Sequence, residues 1–175
     1  MPKKTGGASR AAQPAFPGWE EFADRVGEVA DPVKLGRALD MLRSERFRLF
    51  ADVQPDHALG IVRGQGSAQR VYSCRLASDG SYACCTQNLI TCVVSRDSPC
   101  KHLLVLIVGL ARAGDLDPEL ALAWLRAARL PDRPSKGAPL DKSLMADTFL
   151  RYKGAEAGEV DWRPTETIPE DFYAL

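Results

Sequence analysis

The stretch DSPCKHLLVLIVGL, residues 97–110, constrains the fold more than any other part of the chain. Leu103, Leu104, Leu106, Ile107 and Leu110 make a run too apolar for a surface helix, so it belongs inside whatever folds around it. Yet Cys100 and His102 stand at its mouth, and an apolar helix needs neither a thiol nor an imidazole to begin. Cys84, Cys85 and Cys92 come shortly before, so five Cys and His side chains fall between positions 84 and 102. Three thiolates and one imidazole form the donor set of a closed, structural Zn2+ site, which leaves no position for a catalytic water. Free cysteine also serves as a small buried hydrophobe. That role suits one or two of these thiols, but not a cysteine and a histidine together at a helix start. The chain has five cysteines, an odd number, and in a reducing compartment metal binding is expected before disulfides.

Around this segment the hydrophobic period changes twice. Trp19, Phe22 and Val26 share a helical face, and a second helix follows Asp31-Pro32 with Leu35, Leu39 and Leu42 along one side. Alternation then takes over in FRLFADV and ALGIVRG, separated by the turn QPDH, and again in RVYSCRLA and SYACCTQ around Asp79-Gly80. An irregular stretch, NLITCVVSRDSPC, leads into the apolar helix. LDPELALAWLRAARL and LDKSLMADTFLRYKG read as two later helices. The expected class is α+β: a small antiparallel sheet of about four strands, flanked by helices, with a zinc-clamped hairpin–loop–helix. Residues 1–17, rich in Gly, Ala, Pro and Ser, read as a disordered lead-in without the apolar core of a secretory signal. A zinc-finger domain is expected over 18–130, with its finger core at 70–113. Residues 131–175 are expected to be a linker, a helix and an extended acidic tail whose Trp162, Ile168, Phe172 and Tyr173 can dock on the body.

SPCKHLL preceded by YACC resembles the SWIM zinc finger, whose pattern is C-x-C, a variable gap, then C-x-H followed by an apolar helix. The likeness runs from Tyr82 to Gly109, with adjacent Cys84-Cys85 and then Cys92 standing where the family has C-x-C. It implies a structural zinc and a role in DNA or protein recognition.

Strand geometry bears on the first ligand. If Asp79-Gly80 is a two-residue turn, Cys74 pairs with Cys85 and Arg75 with Cys84. Tyr72, Cys74, Leu76, Ala83 and Cys85 then share an apolar face, and Cys84 lies on the wetter one. Adjacent strand residues diverge, so only one of Cys84 and Cys85 can serve the ion. The expected ligands are Cys84, Cys92, Cys100 and His102, with Cys74 and Cys85 as packing. A slip of one residue exchanges the faces and would make Cys85 the first ligand. Residues 100 and 102 of a regular helix point to nearly opposite sides, so Cys100 must precede the helix proper. Ser98 is the expected cap and Pro99 fixes the approach.

Charge narrows the partner class. Lys+Arg and Asp+Glu balance at 23 each, so no global field draws the chain to nucleic acid or membrane. Between Asp31 and Arg112 eleven basic residues stand against seven acidic ones. His57, after Pro55-Asp56, reads as a solvated turn histidine. No phosphate loop, HExxH or GxSxG pattern is present. The apolar run from Leu103 to Ala111 is about half of what a bilayer crossing needs. The resulting expectation is a cytoplasmic, non-enzymatic zinc module that binds a protein partner, neither a membrane nor a small-molecule substrate. The alternative is DNA binding, which charge reversal at Arg46, Arg48 and Arg75 would abolish.

Overall fold

The computed structural model describes residues 18–43, 48–65, 70–93, 98–132 and 139–156. The lead-in expected over 1–17, Arg46, and the tail with Trp162, Ile168, Phe172 and Tyr173 lie outside the described residues. The apolar segment forms α3 (Lys101–Ala113), and every side chain from His102 to Ala111 is buried. Its end is set by Gly114 at φ 78°, after which the Asp115 N–H reaches the Leu110 carbonyl at 3.0 Å. Arg112, in the last turn, donates to the Leu42 carbonyl at 3.1 Å and lies over the Trp19 ring.

Beneath α3 lies a four-stranded antiparallel meander: β1 (Arg48–Val53), β2 (His57–Arg63), β3 (Val71–Ala77) and β4 (Tyr82–Thr86), side by side in chain order. The α+β class follows directly. Period-two alternation divides the sheet into two apolar faces. Ala58, Val62, Cys74, Leu76 and Cys84 pack with α3 into the main core. Ile61 and Val71 face the other way and meet Phe149 and Tyr152 of α5 (Lys142–Glu156). Of the remaining helices, α2 (Pro32–Arg43) and α4 (Pro118–Arg129) pack on α3, and α1 (Trp19–Val29) packs on α4. On α2 the buried residues are Leu35, Ala38 and Met41, while Leu39 and Leu42 are only partly covered. No helix among the described residues is long and apolar enough to cross a membrane.

Aspartates start three of the helices. The Asp31, Asp117 and Asp141 carboxylates accept from the backbone N–H groups of Lys34 at 2.9 Å, Leu120 at 3.0 Å and Leu144 at 3.0 Å. Asp117 also accepts from Glu119 N–H at 2.9 Å. Asp117→Ala is therefore expected to cost about 1 kcal/mol. A chemical denaturation curve should show a lower midpoint with an unchanged slope.

The β3–β4 register differs from the expected one. Cys74 pairs with Cys84 and Ser73 with Cys85, not Cys74 with Cys85. The cause is the turn, whose loop has three residues, Ser78, Asp79 and Gly80. Ala77 N–H donates to the Ser81 carbonyl at 2.9 Å across that loop, and Gly80 takes φ 82°. Asp79 Oδ1 accepts from Ser81 N–H at 2.8 Å and steadies it. This is the turn-plus-left-handed-residue solution, in which the glycine occupies the last loop position rather than the second of two. The extra residue turns β4 over. Tyr82 and Cys84 join Tyr72, Cys74 and Leu76 on the α3 side, while Ala83 and Cys85 go to the α5 side. Cys84 thus lies on the core face, not on the wetter one.

Candidate metal centre

Cys84, at the middle of β4, points at the start of α3 and is 1 % exposed. Beyond β4 the chain folds straight back. Leu89 N–H donates to the Thr86 carbonyl at 2.8 Å, Thr86 N–H to Ile90 at 3.0 Å, and Cys92 N–H to Cys84 at 2.8 Å. Cys85 bridges Thr91 in the same small ribbon. The result sets Cys92 directly beside Cys84. This fold-back sits inside the stretch read as irregular, and its marker is missing from the sequence. The left-handed position of the turn, where glycine or asparagine would have stood out, is held by Leu89 at φ 57°.

Cys100 and His102 come from α3. Cys100 is its N-cap, with extended backbone at φ −79° and ψ 169°, and so lies outside the helical repeat as the two-residue spacing requires. Ser98 is not the cap; its Oγ accepts from Lys34 Nζ at 2.6 Å. His102 lies in the first turn of the helix, with its ring stacked on Tyr72 at a centroid distance of 3.7 Å and 16° between planes. That stacking fixes the imidazole so that Nδ1 lies 3.8 Å from the sulfur of Cys84 and 3.9 Å from those of Cys92 and Cys100.

The four ligand atoms of Cys84, Cys92, Cys100 and His102 all lie within 4.8 Å of one another, so the group could hold a metal ion. Tetrahedral bonds of about 2.3 Å to sulfur and 2.0–2.1 Å to nitrogen put each S···N edge at roughly 3.6 Å. The observed edges need to close by only a few tenths of an ångström. Of the remaining thiols, Cys85 is buried on the opposite face of the sheet. Cys74 is also fully buried, with its sulfur 3.7 Å from that of Cys84. His57 pairs with Asp56 at 2.7 Å. Arg43 and Arg48 are each engaged by a carboxylate, Asp40 and Asp115 respectively, both at 3.1 Å.

Protonation within the group is uneven. Hydrogen bonds from Cys100 and Cys84, helped by His102, hold the Cys92 thiol far below the ordinary thiol range. Cys100 is pushed well up because its hydrogen bonds with Cys84 and Cys92 favour its protonated form. Burial pushes Cys84 well up. A divalent ion must therefore expel the protons that burial and shared hydrogen bonds hold on Cys84 and Cys100. Loading is expected to release about two protons, so affinity rises roughly a hundredfold per pH unit while both thiols remain protonated. Calorimetric titration in buffers of different ionisation enthalpy reads that number directly; a release near zero would contradict it.

The chain matches no family model, no curated protein and no solved structure.

Proposed function

We propose that the bound ion is Zn2+, that it is structural, and that the chain is a non-enzymatic module of SWIM type working by protein–protein interaction. The observation that carries this reading is the closed Cys3His group, with His102 Nδ1 at 3.8–3.9 Å from all three sulfurs. Thiolate-rich donors favour zinc over the hard, oxygen-seeking ions, and four protein ligands leave the metal no position for substrate or water. A reducing cytoplasm suits thiols kept as ligands. Ile90 and Val93, on either side of Cys92, are 62 % and 66 % exposed, and the ion would anchor the loop that presents them. Exposed apolar side chains on an anchored loop suit a protein partner better than a phosphate backbone.

The test has two stages. Protein purified without chelators should contain one zinc per chain by elemental analysis. A partner captured by that protein should be lost with the double substitution Ile90→Asp and Val93→Asp, whose zinc content stays at one. Retention on DNA that falls steeply with salt would favour the nucleic-acid alternative instead.

A further inference from the structure

We propose that Cys74 and Cys84 form a disulfide when the chain meets a peroxide, and that this bond ejects the metal. The inference rests on the Cys3His reading and adds a modification site to it. Cys74 and Cys84 stand directly opposite in the β3–β4 ladder, with their sulfurs 3.7 Å apart. The Cys84 carbonyl accepts from Cys92 N–H, on the side away from β3. The pair is therefore of the non-hydrogen-bonded kind, in which Cα atoms lie about 4.5 Å apart. A disulfide spans Cα separations of roughly 4.4–6.8 Å, so the bond needs side-chain rotation and no movement of the strands. Cys74 lies outside the four-membered ligand group, so its thiol is available for this chemistry.

The reaction enters through Cys92. It is partly exposed, whereas Cys74, Cys84 and Cys100 are 0–1 % exposed. Hydrogen peroxide oxidises the Cys92 sulfur to a sulfenic acid: an S–O bond forms, the O–O bond breaks, and one water leaves. The Cys84 sulfur displaces the sulfenic hydroxyl, which departs as the second water, giving a Cys84–Cys92 disulfide. Cys74 then attacks the Cys84 sulfur, and Cys92 leaves with the proton that Cys74 gives up. In sum, Cys74 and Cys84 become one disulfide and one peroxide becomes two waters, with two protons drawn from solvent because Cys84 and Cys92 start as metal-bound thiolates. With Cys84 removed from coordination, the site keeps Cys92, Cys100 and His102 but loses one of its three thiolates and its closed shell, so a chelator can enter the open position and take the ion.

Trypsin separates the alternatives, because Cys74 falls in VYSCR (71–75), Cys84 with Cys85 and Cys92 in 76–96, and Cys100 in DSPCK (97–101). The full chain, loaded with zinc, is treated with one equivalent of hydrogen peroxide, alkylated and digested. The expected product joins 71–75 to 76–96, with fragmentation placing the bond at Cys84. One equivalent of zinc should pass to a chromogenic chelator, and dithiothreitol should restore binding. Cys74→Ala should hold zinc normally before oxidation and stop at bonds among the ligand cysteines. If Cys74 in the wild-type chain remains alkylatable while the zinc leaves, the proposal is overturned. Zinc content measured before the peroxide reports separately on the metal reading: a chain that purifies folded without zinc sinks that reading, and its linkage map still decides whether Cys74 joins Cys84.

Discussion

Removing the ion, by chelation or by Cys100→Ser or His102→Ala, is expected to unfold the middle of the chain. The four candidate donors come from three separate pieces of backbone, which a bound ion would tie together: β4, the fold-back behind it, and the start of α3. The side chains of α3 from His102 to Ala111 are all buried, so whatever positions that helix positions the core. A structural zinc contributes on the order of 10 kcal/mol of folding free energy in peptide systems. A domain of this size has a net stability of about 5–15 kcal/mol. The loss is therefore comparable to the whole. Circular dichroism should show a large fall in both helical signal and Tm on adding a chelator, reversed by adding zinc back. Cys85→Ala, on the far face of the sheet, should leave metal content unchanged. If the chelated chain melts within a few degrees of the loaded one, the ion has no structural role.

The parts that were legible in the sequence are those governed by local periodicity. The amphipathic stripes of α1 and α2, the Asp-Pro start of α4, and the alternation of the four strands each identify their element, and helix caps fix several of the boundaries. The spacing of Cys100 and His102 requires a non-helical cysteine, and that cysteine is the N-cap. What was not legible depends on the conformations of single turn residues. Asp79-Gly80 is compatible with a loop of two residues or three, and the choice inverts the faces of β4. Only contact with the rest of the fold decides it, since Gly80 lies against α4. The ribbon that brings Cys92 beside Cys84 was hidden for a similar reason: Leu89, in a left-handed conformation, is not a residue that announces a turn. A choice between Cys84 and Cys85 made on the hydrophobicity of the two faces assumes a register that β4 does not adopt. Cys84 points toward α3 because a three-residue loop sends it there.

That dependence makes Gly80→Ala the second large prediction. Gly80 has φ 82°, where a Cβ costs about 1–2 kcal/mol by itself. The added carbon would also lie 2.3 Å from the Ala127 carbonyl carbon, 2.4 Å from its oxygen and 2.7 Å from Ala128 N. These are backbone atoms in the last turn of α4 and cannot swing aside as a side chain could. Together the strain and the overlap should destabilise the chain by about 3 kcal/mol or more. The turn can relieve the clash by reverting to a two-residue loop. That slip would rotate Cys84 away from α3 and present Cys85 in its place, so zinc affinity should fall along with stability. Gly36→Ala provides the contrast. Its new Cβ would have no atom within 4 Å, and it sits inside α2, so the same substitution should stabilise by roughly 0.5–1 kcal/mol. Denaturation midpoints and zinc titrations on the two variants should move in opposite directions for stability and differ for metal. Equal and small effects at both glycines would mean that the β3–β4 turn does not control which cysteine faces the ion.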